Sequence, residues 1–478
     1  MSERSHRGVR SVDRRALLRT VGAGGIVSLA GCLGWGETSN GSNGTTIQIT
    51  APDEWRNAAS KVTRNLHDAG MSENIHIEMA SPGQTTDDSL AQYQQWLSAG
   101  LSTPDLLVCD VGWIRPFVVR EQLLSLDDVL PAETLARIRE RYVTQSVQSA
   151  TGDDGNLYAV PLYPDLPTIQ YRRDLVESAG YDWQQHATDP LSWKRFAAEI
   201  TDVYEQSDVE YGFNWQAASE LQLACCVFNE FLSSWGGAYF GNPEENLYTI
   251  GDRPVTVTEK PVLDSLRMAR TFIHGTDAPD TLDGFTGEIT STDAFQWGLS
   301  PSMRPFTQGN AVALRNWPYS ININGASDVL GKSMGVMPIP YGVPDGNGTY
   351  PGTGGSIAAL GGWNYAVNPE TDHLDACVEF LQALTTESFQ LANFSLIGHI
   401  PPIPDVLASA TDVSIMGRYV ETLTYASEHS LARPATAIWP EQSQVVAQEA
   451  NGVIMGDTTP EAGMERLANR LERIEGSV

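Results

Sequence analysis

The residues in this chain best suited to chemistry are carboxylates and cations set beside aromatic rings. Tyr163-Pro164-Asp165 puts a phenol and a carboxylate on a proline-flanked segment. Arg315-Asn316-Trp317-Pro318-Tyr319 gathers a guanidinium, an amide, an indole and a phenol in one short run. Proline fixes its own φ and pushes the preceding residue into an extended shape, so both runs present their side chains from stiff backbone. Indole and phenol rings offer a flat apolar face with a polar tip. Carboxylates accept charge-assisted hydrogen bonds from two neighbouring hydroxyls. The combination suits a ligand with an apolar C–H face and a rim of hydroxyls, as carbohydrates have. Two plainer readings compete. Tyr163-Pro164-Asp165 also reads as an ordinary proline turn in a mixed sheet, and any single Trp also reads as a core residue.

Other chemistries lack their patterns. The glycines of YPGTGGSIAALGGW (350–363) have neither the spacing nor the lysine of a phosphate-binding loop. No H-E-x-x-H occurs. A glycoside hydrolase needs two carboxyl groups flanking a bond; Glu54, Asp110 and Asp165 would serve, but no hydrolase signature accompanies them. An iron site needs clustered Tyr and His, and a phosphate-bearing solute needs more basic groups. The chain is therefore read as a non-enzyme with no metal or cofactor. Cys109, Cys225, Cys226 and Cys377 form no C-x-x-C pattern; free buried thiols are expected, with one disulfide left open. The net charge of -29 comes from dispersed acidic residues, and only four lysines occur. Such a balance excludes nucleic acid, whose phosphates would be repelled. It matches a surface that stays soluble in molar salt, where self-repulsion is screened. Loss of compactness at low salt follows, and a circular dichroism titration showing full structure without salt would refute it.

The elements that must position these residues follow from periodicity. Thr46–Thr50 alternates as a strand, and Trp55, Ala59, Val62 and Leu66 share one face of a helix ending at Gly70. Ile75–Met79 is a strand, Ser89–Ala99 a helix, and Asp105–Cys109 a short buried strand. This alternation predicts a parallel α/β layer, in which ligands sit beyond the carboxyl ends of strands. Glu54, the segment 83–87, and Asp110 with Trp113 fall there. Asp110 also reads as a helix N-cap. Strands are expected at Leu157–Leu162 and Thr168–Tyr171, with Tyr163-Pro164-Asp165 as the corner between them. The C-terminal Met464, Leu467, Leu471 and Ile474 recur at helical spacing. A single core stops growing at about 250–300 residues, so the length suits two domains or one two-lobed body.

The beginning reads as a targeting segment. Arg14-Arg15 precedes an apolar run, Val21–Leu33, shorter than the about 20 residues a membrane span needs. Twin arginines in this place resemble a Tat export signal, and Leu29-Ala30-Gly31-Cys32 matches a lipobox with Cys32 as the lipid-bearing residue. Residues 1–32 are thus read as signal and 33–45 as a Gly/Ser/Asn tether with too little apolar surface to fold. An N-terminal membrane helix is the competing reading. Asn40, Asn43, Asn347 and Asn393 head glycosylation sequons.

Beyond residue 45 the chain resembles the family 1 extracellular solute-binding proteins, the sugar receptors of ABC importers, and most of all their trehalose/maltose-binding branch. The pattern G-x-x-Y-A-V-P-x-Y-x-D-x-x-x-x-x-Y-x-x-D-L is kept from Gly155 to Leu175. The segment with Asp110 and Trp113, the R-N-W-P-Y-like corner at 315–319, Gly361-Gly362-Trp363 and Arg433-Pro434 also match in order. The resemblance implies an α/β, two-lobed periplasmic-binding-protein-like (type II) fold with a hinge. Lobe 1 would take 46–162 and 359–427, and lobe 2 would take 163–358 and 428–478. It implies ligand contacts at Glu54, Asp110, Trp113, Tyr163, Asp165, Trp215, Trp317, Tyr319, Gly362, Trp363 and Arg433. Arg433 also reads as a salt bridge across the lobes. Trp215 departs from the family's entry to its helix, because Ala217 stands where a Gly is usual, and Gly112 stands where a larger residue occurs. The implied protein is a monomer on the outer face of the membrane. It would capture a sugar and deliver it to membrane permease subunits driven by a separate ATPase. Receptors for non-sugar solutes share the same architecture.

Overall fold

The computed structural model describes residues 44–83 and 85–477. The twin arginines, Cys32, almost all of the tether and the sequons at Asn40 and Asn43 lie outside the described residues. No described helix is long and apolar enough to cross a membrane.

Ten strands among the described residues form two sheets. They are β1 (Thr45–Thr50), β2 (Ile75–Ala80), β3 (Leu106–Asp110), β4 (Ala159–Asp165), β5 (Thr168–Arg172), β6 (Tyr211–Asn214), β7 (Ala311–Asn316), β8 (Met334–Met337), β9 (Ala358–Val367) and β10 (Ser430–Ala432). The first sheet runs β10-β9-β3-β1-β2, with β4 also on β9. The second runs β6-β7-β5-β8. β1 pairs in parallel with β2 and β3, as the strand–helix alternation requires. Helices cover the first sheet, so β3 is buried along its whole length.

Local chemistry sets several boundaries. β1 begins at Thr45, one residue inside the expected tether. The helix expected through Gly70 is two helices, Asp53–Asn57 and Ala59–Asp68, broken at Ala58. Trp55, Val62 and Leu66 are still buried together in the first-lobe core. The helix Thr86–Ser98 starts earlier than expected because Thr85 and Asp88 form a capping box. Tyr163-Pro164-Asp165 is not a corner but the end of β4, with Tyr163 opposite Trp363 and Asp165 opposite Gly361. The register shifts between Pro161 and Tyr163. Among the described residues β9 is the only strand paired with β4, so two prolines fit without breaking a ladder on its other side.

Each sheet has its own core. The first includes Ile47, Ile49, Leu107, Phe117, Tyr365 and Phe380. The second is aromatic-rich, with Trp193, Phe196, Phe213, Phe231 and Phe272. The helices Trp439–Met455 and Pro460–Glu475 add Val446, Val453, Met464, Leu467 and Leu471 to this second core. The chain thus passes between the lobes three times: from β4 to β5, from β8 to β9, and after β10. A smaller cluster, with Leu166, Leu314, Leu360, Phe394 and Leu423, joins residues of both sheets beside these crossings.

Candidate functional site

Between the sheets lies a cleft with an inner chamber of about 230 Å³ and an outer cavity of about 540 Å³. The two share Pro52, Asp53, Thr86, Leu221, Gln222, Leu299, Ser300 and Trp363, so they form one continuous space. The outer cavity is larger and polar, with Asp53, Asp87, Glu220, Gln222 and Gln296 in its walls, but Trp363 is its one aromatic ring. The inner chamber holds Glu54, Asp110, Tyr163, Asp165, Trp317, Tyr319, Gly362, Trp363 and Arg433, nine of the sequence-derived residues. Lobe 1 supplies Glu54 from a short helix, Asp110 from the carboxyl end of β3, and Trp363 from β9. Lobe 2 supplies Trp317 and Tyr319 just after β7. Asp165 sits at the first crossing.

The carboxylates are placed at an electrostatic cost. Burial raises the Asp165 carboxyl well above the usual range; Arg315 opposes this, while Glu54 and Asp110 push it further up. Burial also raises Glu54. In the outer cavity burial raises Asp87, with Asp88 adding to it, and Glu220, with Asp87 adding to it. Asp110 and Arg433 form a buried ion pair, and Asp110 also accepts the backbone N–H of Gly112 at 2.8 Å. Asp110 is not a helix N-cap, because the helix Ile114–Val119 starts after Trp113 with no side-chain cap bond, but it holds the turn before that helix. Arg433 is salt-bridged, to a residue at the end of a strand in the sheet that β10 itself joins. A Cβ on Gly112 would lie 3.1 Å from Asp110 Oδ1 and 3.4 Å from Arg433 Nε. The glycine leaves room for the pair.

The backbone at Gly362 has φ 142°, and a Cβ there would lie 2.7 Å from the Tyr163 carbonyl oxygen. Only glycine lets β4 and β9 meet this closely. Trp317 is held from behind by the Arg315 guanidinium, 4.6 Å from its ring centroid. Arg315 is itself fully buried and donates to both oxygens of Glu230, at 2.9 and 2.5 Å, and to Gln216. It therefore supports the aromatic wall and does not reach a ligand.

Two sequence-derived contacts are corrected. Trp113 lies in the first-lobe core, edge-on to Trp363 at 5.6 Å, and backs that ring without lining the chamber. Trp215 is fully buried in the second-lobe core, its indole N–H donating to Thr290 at 3.1 Å. Its apolar neighbours, Phe231 among them, claim it for packing. The sequon residue Asn393 is also buried; it accepts from Trp55 and contacts His399, which excludes it as an attachment point.

Sequence reasoning missed three features. His399 stacks on Tyr163 at 3.7 Å and lines the chamber. Burial pushes its pKa down to about 3, so it is neutral; with Nδ1 accepting from the Asn393 amide, its proton sits on Nε2. Nothing in the spacing around Gly398–Pro404 marked it. Leu299 and Ser300, from the helix start at 299, complete the lobe-2 wall. Cys225 and Cys226 are joined in a disulfide and also line the chamber, whereas Cys109 and Cys377 are free and buried. Their adjacency was the one available signal. Among the described residues no group of His, Cys, Asp and Glu is arranged to hold a metal.

Two sheets joined by three crossings around a polar, aromatic-walled cleft define a two-lobed binding protein. A family model described as bacterial extracellular solute-binding protein matches residues 65–415. The chain belongs to that family. A relative from Deinococcus radiodurans, named as a probable ABC transporter-binding protein, is 25% identical over 84% of this chain and 87% of its own length. The maltose-bound MalE3 of T. maritima superposes with a TM-score of 0.74 at 22% identity, covering 90% of this chain and 99% of the other. A solute-binding protein of Agrobacterium radiobacter K84 in complex with ribitol gives 0.68 at 16% identity, with 90% and 99% covered.

Proposed function

We propose that this protein is the substrate-binding lipoprotein of an ABC importer and captures a sugar, most simply a di- or oligosaccharide such as trehalose or maltose, between its closing lobes. The observation that carries the reading is the inner chamber. Carboxylates at Glu54, Asp110 and Asp165 accept from hydroxyls, while Trp317, Tyr319 and Trp363 offer flat apolar faces from opposite lobes. A ligand touching both lobes favours the closed form and shifts the population toward it. The closed form then docks the permease, and a separate ATPase drives transport. The outer cavity leaves room for more than one ring. The maltose bound by the T. maritima relative and the ABC assignment of the Deinococcus relative support the same reading. Export through the twin-arginine segment and lipid attachment at Cys32 would hold the monomer at the outer membrane face, with no cofactor required.

A second reading has one observation in its favour. Asp165 and Glu54 have raised carboxyl pKa values beside a third carboxylate, which is also how a glycosidase prepares a proton donor. One experiment separates the two. The full chain in molar salt is unfolded thermally against mono- and disaccharides and linear polyols, and the same samples are assayed for breakdown products. A ligand at a hundred times its Kd adds about 2.7 kcal/mol of stability. A shift with intact sugar is expected. Products would move the assignment to hydrolysis, and no shift with any sugar would send the search to non-sugar solutes.

A further inference from the structure

The Cys225–Cys226 disulfide sits in the wall of the candidate ligand chamber. It lies on the π-helical turn Leu223–Val227 and lines the inner chamber. It shares an apolar cluster with Trp317 and Ala359, edged by Leu299 and Tyr319. The same chamber holds the polar groups Glu54, Asp110, Asp165 and Arg433. A disulfide has no donor, and its sulfurs accept only weakly. They are polarizable and pack well against apolar faces. Bonding adjacent residues closes a small covalent ring, so the sulfurs have no rotamer freedom left to lose on binding. Two free thiols at the same place would rotate and offer S–H groups.

We propose that the Cys225–Cys226 disulfide and Trp317 together form a rigid apolar platform that receives the C–H face of a sugar ring. This platform makes the cleft select cyclic sugars over linear polyols. The inference rests on the reading of the cleft as a sugar site. A ring presents one flat apolar face to the platform while its hydroxyls reach the carboxylates of the same chamber. A linear polyol must freeze several rotors to do the same and presents hydroxyls to groups that cannot bond them.

The test uses the full oxidised chain and its C225A/C226A form, with glucose, trehalose, maltose, mannitol and ribitol as probes. Titration calorimetry gives Kd for each. Mass spectrometry after thiol trapping gives the rate at which a phosphine reductant opens Cys225–Cys226 with and without each probe. The expected result is that a ring sugar binds more tightly than either polyol and slows reduction of the disulfide. C225A/C226A should lose roughly tenfold in affinity for that sugar and less for the polyols. A sugar that binds the wild type without slowing reduction overturns the platform and leaves the receptor reading in place, as does equal affinity for the double variant. A polyol bound more tightly than every ring sugar overturns the ring preference. No binding of any probe, with an unchanged reduction rate, overturns both readings. Should C225A/C226A not fold, the reduction arm in the wild type decides alone.

Discussion

Replacing Asp165 by Asn should move stability and affinity in opposite directions. Asp165 ends β4 opposite Gly361, where burial, Glu54 and Asp110 all disfavour its ionised form and Arg315 alone of the four opposes them. The amide has the same shape without the charge, so the unliganded protein should be at least as stable as the wild type at pH 7. The amide keeps an acceptor oxygen but forfeits charge assistance. A hydrogen bond to a charged group contributes about 1.5–3 kcal/mol against about 0.5–1.5 for a neutral one, so the loss is about 1–2 kcal/mol, or roughly 5- to 30-fold in Kd. The pH dependence gives an independent check. The native carboxyl holds its proton more tightly than the unfolded chain does, so its contribution to unliganded stability grows as pH falls from neutral toward about 4. Sugar affinity falls over the same range as the acceptor is neutralised. Asp165→Asn should flatten both trends. Calorimetric titration and thermal unfolding between pH 7 and pH 4, with the tightest-binding sugar, measure them. Wild-type affinity in Asp165→Asn, or a large loss of unliganded stability, would refute the assignment.

The other predictions concern residues whose contacts the structure defines. Trp317 is only 5% exposed and lies against Arg315 and Gly361, so Trp317→Ala should cost about 3 kcal/mol of stability as well as affinity. Trp317→Phe should keep most of the stability and still weaken sugar binding, which calorimetry and denaturant unfolding separate. Arg433→Met leaves Asp110 buried without its cation and should cost about 3–5 kcal/mol. Adding Asp110→Asn should recover part of that loss in a double-mutant cycle, and simple additivity would argue against coupling. His399 titrates at about 3 in the fold against about 6.5 when unfolded, so stability falls below pH 6.5 at up to about 1.4 kcal/mol per pH unit. His399→Gln should remove that slope, and parallel stability profiles for the two proteins would contradict a buried, neutral imidazole.

Much of this protein is determined by local sequence. Alternation in TTIQIT, the apolar run before Asp110 and the spacing of Met464 to Ile474 each specify an element, because burial of one face needs only the right period. The prolines beside Tyr163, Asp165 and Trp317 specify stiff presentation in the same local way. The order of motifs from Asp110 to Arg433 carried the two-lobed family resemblance, and nine of the proposed contacts do meet in the inner chamber.

What tertiary structure alone decided is which of several chemically equal residues face the cleft. Trp113, Trp215, Trp317 and Trp363 share one side chain, but only the last two line the chamber. The others fall on the core side of their elements, where neighbouring aromatics remove them from solvent. Arg315 and Arg433 divide in the same manner: one is consumed by Glu230 beneath the wall, the other reaches the chamber from a residue 323 positions from its partner Asp110. No local pattern encodes such a separation, because the meeting depends on β3 and β10 both pairing with β9 in the first sheet. The raised carboxyl groups follow from the same cause. Their charges become costly only when folding gathers residues from distant strands into one partly dry space.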